Sequence, residues 1–342
     1  MPGVLIVDDS AYVRFVLKDR FRRRGWEMRA VADGHAALAA LSGFAPDLVT
    51  LDVVMPGMDG IETVKAIRAL WAGPIIMVST QTHGGADQTW PALEAGATDF
   101  VGKPGPDSPL EDVMDQIITK FEACQAPCPP PGQHRAGAQV PRVPAQAVVV
   151  GASTGGPAAL ARVLRHVEGA PGVPLVIIQH MPGSFTPSLA ARLGKILGRP
   201  VQESPLAPAK VRWAPGLVVL ARGGYHLRMD PTGLWSEQGV RLHGVMPAID
   251  VTAGDGVRVF GAGLCMAILT GMGEDGADSA ALCRQAGGTV MVQDPGSAVV
   301  WGMPQAVLNR GAASMVGSLE DIGRWINEVM HDGRGIFGSG ME

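Results

Sequence analysis

What most restricts the fold of this chain is a series of short, β-branched apolar runs that do not alternate with polar residues, each followed by a stretch of helical periodicity. The first part carries VLIV (residues 4–7), DLVTLD (47–52), PIIMVST (74–80) and a weaker ATDFVGKP (97–104). The second carries AVVVGAS (147–153), PLVIIQH (174–180), GLVVLA (216–221) and GLCMAILTG (263–271). Runs of this kind suit strands buried on both faces, and strands separated by helices are parallel strands with helical crossovers. The chain reads as α/β throughout.

Between the two sets lies CQAPCPPPGQHRAGAQVPRVP (residues 124–144), nearly free of large apolar side chains. Such a stretch buries too little apolar surface to offset its ordering entropy, and its prolines favour an extended spacer. A length of 342 residues is about two domains of roughly 150 residues plus a remainder. The expected division is a domain over residues 1–121, a linker over 122–144 and a domain over 145–342. Residues 1–121 hold 11 Lys/Arg against 16 Asp/Glu, and residues 144–342 hold 15 against 15. A net charge of −4 with a balanced second domain argues against a nucleic-acid coat. Four cysteines are too few to staple the chain, and the C-x3-C of Cys124 and Cys128 has no second Cys/His pair to complete a metal site. No apolar run approaches the roughly 18 residues of a membrane span, and Asp8 and Asp9 interrupt the N-terminal apolar run before it reaches signal-peptide length. The expectation is a soluble, cytoplasmic monomer without membrane insertion.

In a parallel sheet, the carboxyl ends of neighbouring strands open into one crevice, where ligands of open α/β sheets bind. Asp8 and Asp9 follow the first run and Asp52 ends the second, so three carboxylates converge there. Their mutual repulsion is relieved by a hard divalent cation such as Mg²⁺, which keeps waters and accepts a phosphoryl oxygen. Ser79 ends the third run and Lys103 follows the fourth, adding a hydroxyl and a cation. Singly these residues read as turns, caps or solvated loops; together they read as a pocket that can hold a phosphoryl group on Asp52.

VLIVDDS, LDVVMPGMDG, MVST and GKP resemble a response-regulator receiver domain over residues 1–121. The resemblance implies a doubly wound, flavodoxin-like five-stranded domain with Asp52 as phosphoacceptor. It implies Asp8, Asp9, Asp52 and the Val54 carbonyl around Mg²⁺, Ser79 and Lys103 against the phosphoryl group, Phe100 at the aromatic switch position, and a sensor histidine kinase as phosphodonor. Val54 stands where LDVEMP-like relatives carry an acid, which bears on the lifetime of the phosphorylated state.

In the second domain GASTGGP (residues 151–157) sets Ser153 at a strand-to-helix turn, where helix-start N–H groups are placed to hold an oxyanion. The competing readings are a helix-capping serine and a nucleotide loop, but neither G-x-G-x-x-G nor G-x-x-x-x-G-K-[ST] occurs. His180 ends the next strand, facing the same crevice, and is the best placed of the eight histidines. TGMGEDGADS (residues 270–279) adds Glu274, Asp275 and Asp278 at the same edge; one of them would orient the imidazole, and spacing does not choose among them. The order Ser, His, acid and the missing G-x-S-x-G elbow disfavour a lipase-like hydrolase, and the acidic spacing is not that of an EF-hand.

GASTGGP, QHMP, LTGMGEDGA and VVWGMP resemble the chemotaxis protein-glutamate methylesterase (CheB) family over residues 145–325, so receiver, linker and this α/β parallel-sheet domain match the family's architecture. The resemblance implies Ser153 as nucleophile, His180 as general base and Asp275 as the orienting acid. It also implies the Met272 N–H as an oxyanion donor and Thr154 as a neighbour that helps position His180. The implied substrates are γ-glutamyl methyl esters, and specific glutamines, on the cytoplasmic helices of methylated chemoreceptors, hydrolysed without a cofactor in this domain. HGVMPAID (residues 243–250) lacks the Arg and Ser of HRPSVD-like stretches, a departure expected to leave the triad untouched and to alter the substrate rim. The alternatives are a response regulator with a non-catalytic binding module and, behind it, a nucleotide-dependent enzyme.

Overall fold

A computed structural model describes residues 1–79, 83–103, 109–127, 143–169 and 172–332, with side chains of 83–88 excepted. Cys128, His134 and most of the expected linker lie outside the described residues. The chain divides into two units, Met1–Ala126 and Pro127–Glu342.

In the first unit the strands are β1 (Gly3–Val7), β2 (Glu27–Val31), β3 (Leu48–Asp52), β4 (Ile75–Ser79) and β5 (Asp99–Gly102). They form one parallel sheet in the order β2-β1-β3-β4-β5. The crossovers are α1 (Ala11–Arg23), α2 (Gly34–Leu41), α3 (Gly60–Arg68) and α4 (His83–Glu94), with α5 (Leu110–Gln125) after the last strand. β1, β3, β4 and β5 are buried along their whole length, as their unalternating sequences require. β2 reads EMRAV and is mostly half-exposed at the sheet edge, so it lacks that signature. The chain reverses direction across the sheet between β1 and β3, so the ends carrying Asp8, Asp9 and Asp52 flank the switch point.

One boundary differs from the sequence reading. Helix α5 continues to Gln125, into the stretch assigned to the linker from residue 122. Val113, Met114, Ile117 and Phe121 bury one face of it, and the residues that follow propagate a helix readily until Pro127. Ala126 is already extended, with ψ 134°, as a residue preceding proline prefers.

In the second unit the strands are β6 (Ala147–Ala152), β7 (Leu175–Gln179), β8 (Gln202–Glu203), β9 (Val218–Leu220), β10 (His226–Asp230), β11 (Gly233–Glu237), β12 (Leu264–Ile268), β13 (Thr289–Gln293) and β14 (Met315–Gly317). The helices are α6 (Gly156–Leu164), α7 (Thr186–Leu197), α8 (Ile249–Phe260), α9 (Ala277–Gln285), α10 (Gly302–Asn309) and α11 (Leu319–Asp332). Seven strands form a parallel sheet in the order β14-β13-β12-β6-β7-β9-β8, and β10 and β11 make a separate antiparallel hairpin. The first strand in the chain, β6, is therefore central, with β7 on one side and β12 on the other. Residues following these three strands share one switch point. A core of Val149, Val176, Ile178, Ile249, Met266, Ile268 and their neighbours lies beneath it.

Candidate active site

Ser153 follows β6 directly. Its N–H donates to Thr270 O at 3.0 Å, tying the turn to the end of β12. Ser153 does not cap α6: the N-cap is Gly155, at φ 76°, and no side-chain cap bond is present. The hydroxyl is thus left out of the helix. Gly271 is what makes room for it, because a Cβ there would stand 2.8 Å from Ser153 Cβ and inside contact distance of Met303 Sδ. Gly271→Ala is expected to lower stability by about 1–3 kcal/mol through overpacking and to cut turnover by displacing Ser153. Thermal denaturation and steady-state kinetics would check both, and an unchanged kcat would refute the displacement.

His180 follows β7, and its N–H donates to Ala152 O at 3.1 Å. Its Nε2 lies 2.8 Å from Asp275 Oδ2. A carboxylate only accepts, so Nε2 carries the proton and Nδ1 is the acceptor of the ring. Among the described residues no hydrogen bond joins the imidazole to the Ser153 hydroxyl. Such bonds are often long before substrate binds.

The structure separates the three acids that spacing left equivalent. Asp275 is 2% exposed and meets His180; Glu274 and Asp278 are exposed and both bind Arg310, at 3.0 and 2.8 Å. Asp275 also accepts the Ile249 N–H on Oδ2 at 2.6 Å and the Asp250 N–H on Oδ1 at 3.0 Å, both from the first turn of α8. Burial pushes its pKa up, but the bond to His180, the charge of that ring and the two N–H groups outweigh burial and hold it below the ordinary carboxylate value. An anion at a helix N-terminus gains from the helix dipole as well.

Segment 243–250 also lies against Asp275, through main-chain groups that do not depend on the Arg and Ser it lacks. Ile249 and Asp250 supply the N–H groups above, Asp250 Oδ1 accepts the Ser279 N–H at 2.7 Å, and Asp250 Oδ2 faces His243 Nε2 at 3.1 Å. His243 has φ 52°. His226 is buried, with Nε2 2.8 Å from Val240 O and Nδ1 accepting the Ala248 N–H at 3.3 Å, and so fixes the entry to α8.

Met272 is exposed, and its N–H has no acceptor among the described residues. The loop carrying it is held by Gly271 N–H to Val300 O and Met303 N–H to Gly271 O, both 2.9 Å. Thr154 is 2% exposed. No hydrogen bond joins its side chain to His180 among the described residues, and it is anchored through its carbonyl, 2.9 Å from the Thr270 hydroxyl.

In the first unit, Lys103 Nζ lies 2.7 Å from Asp52 Oδ2 and 3.1 Å from Asp8 Oδ2, with both carboxylates buried. Asp8, Asp9 and Asp52 each offer an oxygen, and these lie within 4.8 Å of one another. Burial raises the Asp52 pKa; the opposing pull of Lys103 does not cancel it, and Asp8 adds to the rise. Three carboxylates around one ammonium leave negative charge that a hard divalent cation would balance, so the donor set fits Mg²⁺. The Val54 main chain is adjacent, its N–H 3.4 Å from Asp52 Oδ1. Ser79 is buried and accepts a hydrogen bond from the Thr89 hydroxyl at 3.0 Å, and the Lys103 N–H donates to Ser79 O. Phe100 is turned inward, edge-on to Trp90 with ring centroids 5.7 Å apart.

Two α/β units, one with a lysine-neutralised carboxylate cluster and one with serine, histidine and a buried aspartate at a single switch point, define a response regulator joined to a hydrolase. Residues 148–326 match the model of the CheB methylesterase family, and residues 4–115 match the response regulator receiver domain. A protein-glutamate methylesterase/protein-glutamine glutaminase of Symbiobacterium thermophilum is 36% identical over 96% of this chain and 97% of its own. One from a Nocardioides species is 39% identical over 94% of each. The catalytic domain of the Thermotoga maritima CheB methylesterase superposes with a TM-score of 0.50 at 32% identity, covering 55% of this chain and all of that one. The chain belongs to the CheB methylesterase family and is a methylesterase, so the alternative of a non-catalytic output module falls. No helix among the described residues is long and apolar enough to cross a membrane.

Proposed function

We propose that this enzyme hydrolyses γ-glutamyl methyl esters on the cytoplasmic helices of chemoreceptors, and deamidates specific receptor glutamines, under control of phosphorylation at Asp52. The observation that carries the reading is the 2.8 Å pairing of His180 with a buried Asp275, held by the first turn of α8 beside Ser153. Ser153 Oγ attacks the ester carbonyl as its proton passes to His180. The protonated ring gives that proton to the leaving methoxide, and methanol departs from the acyl-enzyme. Water then attacks the acyl group with His180 again as base, releasing glutamate and restoring the serine. A glutamine side chain enters by the same attack and expels ammonia. Asp275 holds the imidazole with Nε2 protonated and stabilises its charged form. The Met272 N–H receives the developing oxyanion.

Asp52 accepts a phosphoryl group from a sensor histidine kinase. Asp8, Asp9, Asp52 and the Val54 carbonyl would hold Mg²⁺, which supplies charge neutralisation for the phosphoryl oxygens when bound. Lys103 and Ser79 hold the phosphoryl group, and Phe100 reports its arrival. The unphosphorylated receiver restrains the esterase, and the linker keeps the two at high effective concentration while letting them separate.

The test is methanol release from methylated receptor by the full chain, with and without a small-molecule phosphodonor. Turnover is expected to rise with the phosphodonor and to lose that response in Asp52→Asn. Removing residues 1–143 is expected to raise basal turnover; a truncated protein no more active than the intact chain would refute restraint by the receiver.

A further inference from the structure

We propose that Gln179 is a positioning residue for the hydrolysis, and that its side-chain amide turns the Ser153–Thr154 peptide so that the Thr154 N–H joins Met272 as an oxyanion donor. This rests on the reading of Ser153 as nucleophile. Gln179 is the last residue of β7, 2% exposed, immediately before His180. Its Nε2 donates to Ser153 O at 2.9 Å and to His180 O at 3.1 Å, bridging the main chains of nucleophile and base. Both partners are carbonyls, so the group facing them must be the NH2 of an amide; a carboxylate in its place would set oxygen against oxygen. The Ser153 carbonyl also accepts the Gly156 N–H at 2.8 Å.

A trans peptide points its C=O and N–H in opposite directions, and the Ser153–Thr154 bond is not among the cis bonds of the chain. Gln179 holds the Ser153 carbonyl on its amide. The Thr154 N–H then points away from that amide, and the loop carrying Met272 follows β12, the neighbour of β6 on the side opposite β7. Neither N–H has an acceptor among the described residues. On the far side the Thr270 hydroxyl holds the next carbonyl, that of Thr154, and the Thr270 N–H donates to Gln293 Oε1 at 2.6 Å. The nucleophile turn is thus gripped from both neighbouring strands.

Gly156 gives an independent handle. A Cβ there would run into Gln179 Oε1 and stand 2.9 Å from Ala152 Cβ. Oε1 has no hydrogen-bond partner among the described residues, so the least costly relief is for the amide to swing, which releases the clamp and leaves the Gln179 side chain chemically unchanged.

The experiment compares full-length Gln179→Met, Gln179→Glu and Gly156→Ala in methanol release, thermal midpoint and inhibition by phenylboronic acid, whose adduct with Ser153 mimics the tetrahedral intermediate. A misplaced donor acts only in the transition state, so kcat is expected to fall on the order of 10–100-fold with KM little changed. The boronate inhibition constant should rise in parallel, and Glu should be worse than Met. A purely structural role would lower the thermal midpoint and disturb KM without moving boronate affinity in step. The proposal is overturned if Gln179→Met and Gly156→Ala keep kcat within twofold, or if kcat falls while boronate affinity holds. Should Gln179→Met fail to fold, Gly156→Ala decides alone. Turnover within tenfold of the parent in Ser153→Ala would instead remove the nucleophile assignment, a different failure.

Discussion

Ser153→Ala is expected to lose about 10⁴- to 10⁶-fold in kcat for methanol release, because the members of a catalytic triad act as a unit and removing the nucleophile disables the rest. The residual rate over water, from oxyanion donors and binding alone, is expected to be about 10³-fold. Substituting a hydroxyl that caps no helix costs little stability, so the thermal midpoint should stay close to that of the parent. Phosphorylation of Asp52 should be untouched, since its cluster of Asp8, Asp9 and Lys103 belongs to the other unit. Retained phosphorylation with lost turnover separates the two chemistries. Turnover within tenfold of the parent would sink the assignment.

The sheets were legible because their strands are buried on both faces, and β1, β3, β4, β6, β7 and β12 all lie within runs visible in the sequence. Most strands that escaped have physical reasons. β2 is an edge strand with charged Glu27 and Arg29, β8 has two residues and β14 three, and the β10–β11 hairpin alternates and packs one face only. β13 is the exception, since TVMVQ is buried along its whole length like the runs that were read. The active site was legible to the level of strand ends, since parallel topology brings the ends of β6, β7 and β12 together whatever their details. Which acid meets His180 was not legible from spacing, because Glu274, Asp275 and Asp278 differ in direction along one turn; the family resemblance alone singled out Asp275. Gln179 was passed over for another reason. It sits beside a histidine that draws notice, and nothing in an apolar strand announces that a terminal glutamine folds back onto two main-chain carbonyls. The grip of α8 on Asp275 depends on contacts between residues 249–250 and 275, distant in sequence.

Asp275→Asn is expected to lower kcat by about 10⁴-fold through the wrong imidazole tautomer, and the hydrogen bonds around it show why an amide is a poor substitute. The carboxylate accepts three N–H groups, from Ile249 and His180 on Oδ2 and from Asp250 on Oδ1. An amide has one acceptor oxygen. Placed at Oδ2, it turns its NH2 against the Asp250 N–H; placed at Oδ1, it turns NH2 against the Ile249 N–H and donates to His180 Nε2, moving the ring proton to Nδ1. In that second arrangement the ring has no acceptor left for the serine proton. Either orientation leaves a buried donor unpaired, at a cost of about 1–3 kcal/mol. The acid response changes with it. The folded pKa of Asp275 is depressed, so its stabilisation is present above the unfolded carboxylate value of about 3.9 and is lost as pH falls through the folded value. The variant lacks this term, so the gap between its thermal midpoint and the parent's should be widest near neutrality and narrow below about pH 4. Glu274→Gln and Asp278→Asn alter exposed groups whose charged partners among the described residues are Arg310 and, for Glu274, His243 at 3.8 Å, and kcat should stay within about twofold. If Asp275→Asn kept kcat within tenfold, or if either neighbour matched its loss, the choice of Asp275 as the orienting acid would be wrong.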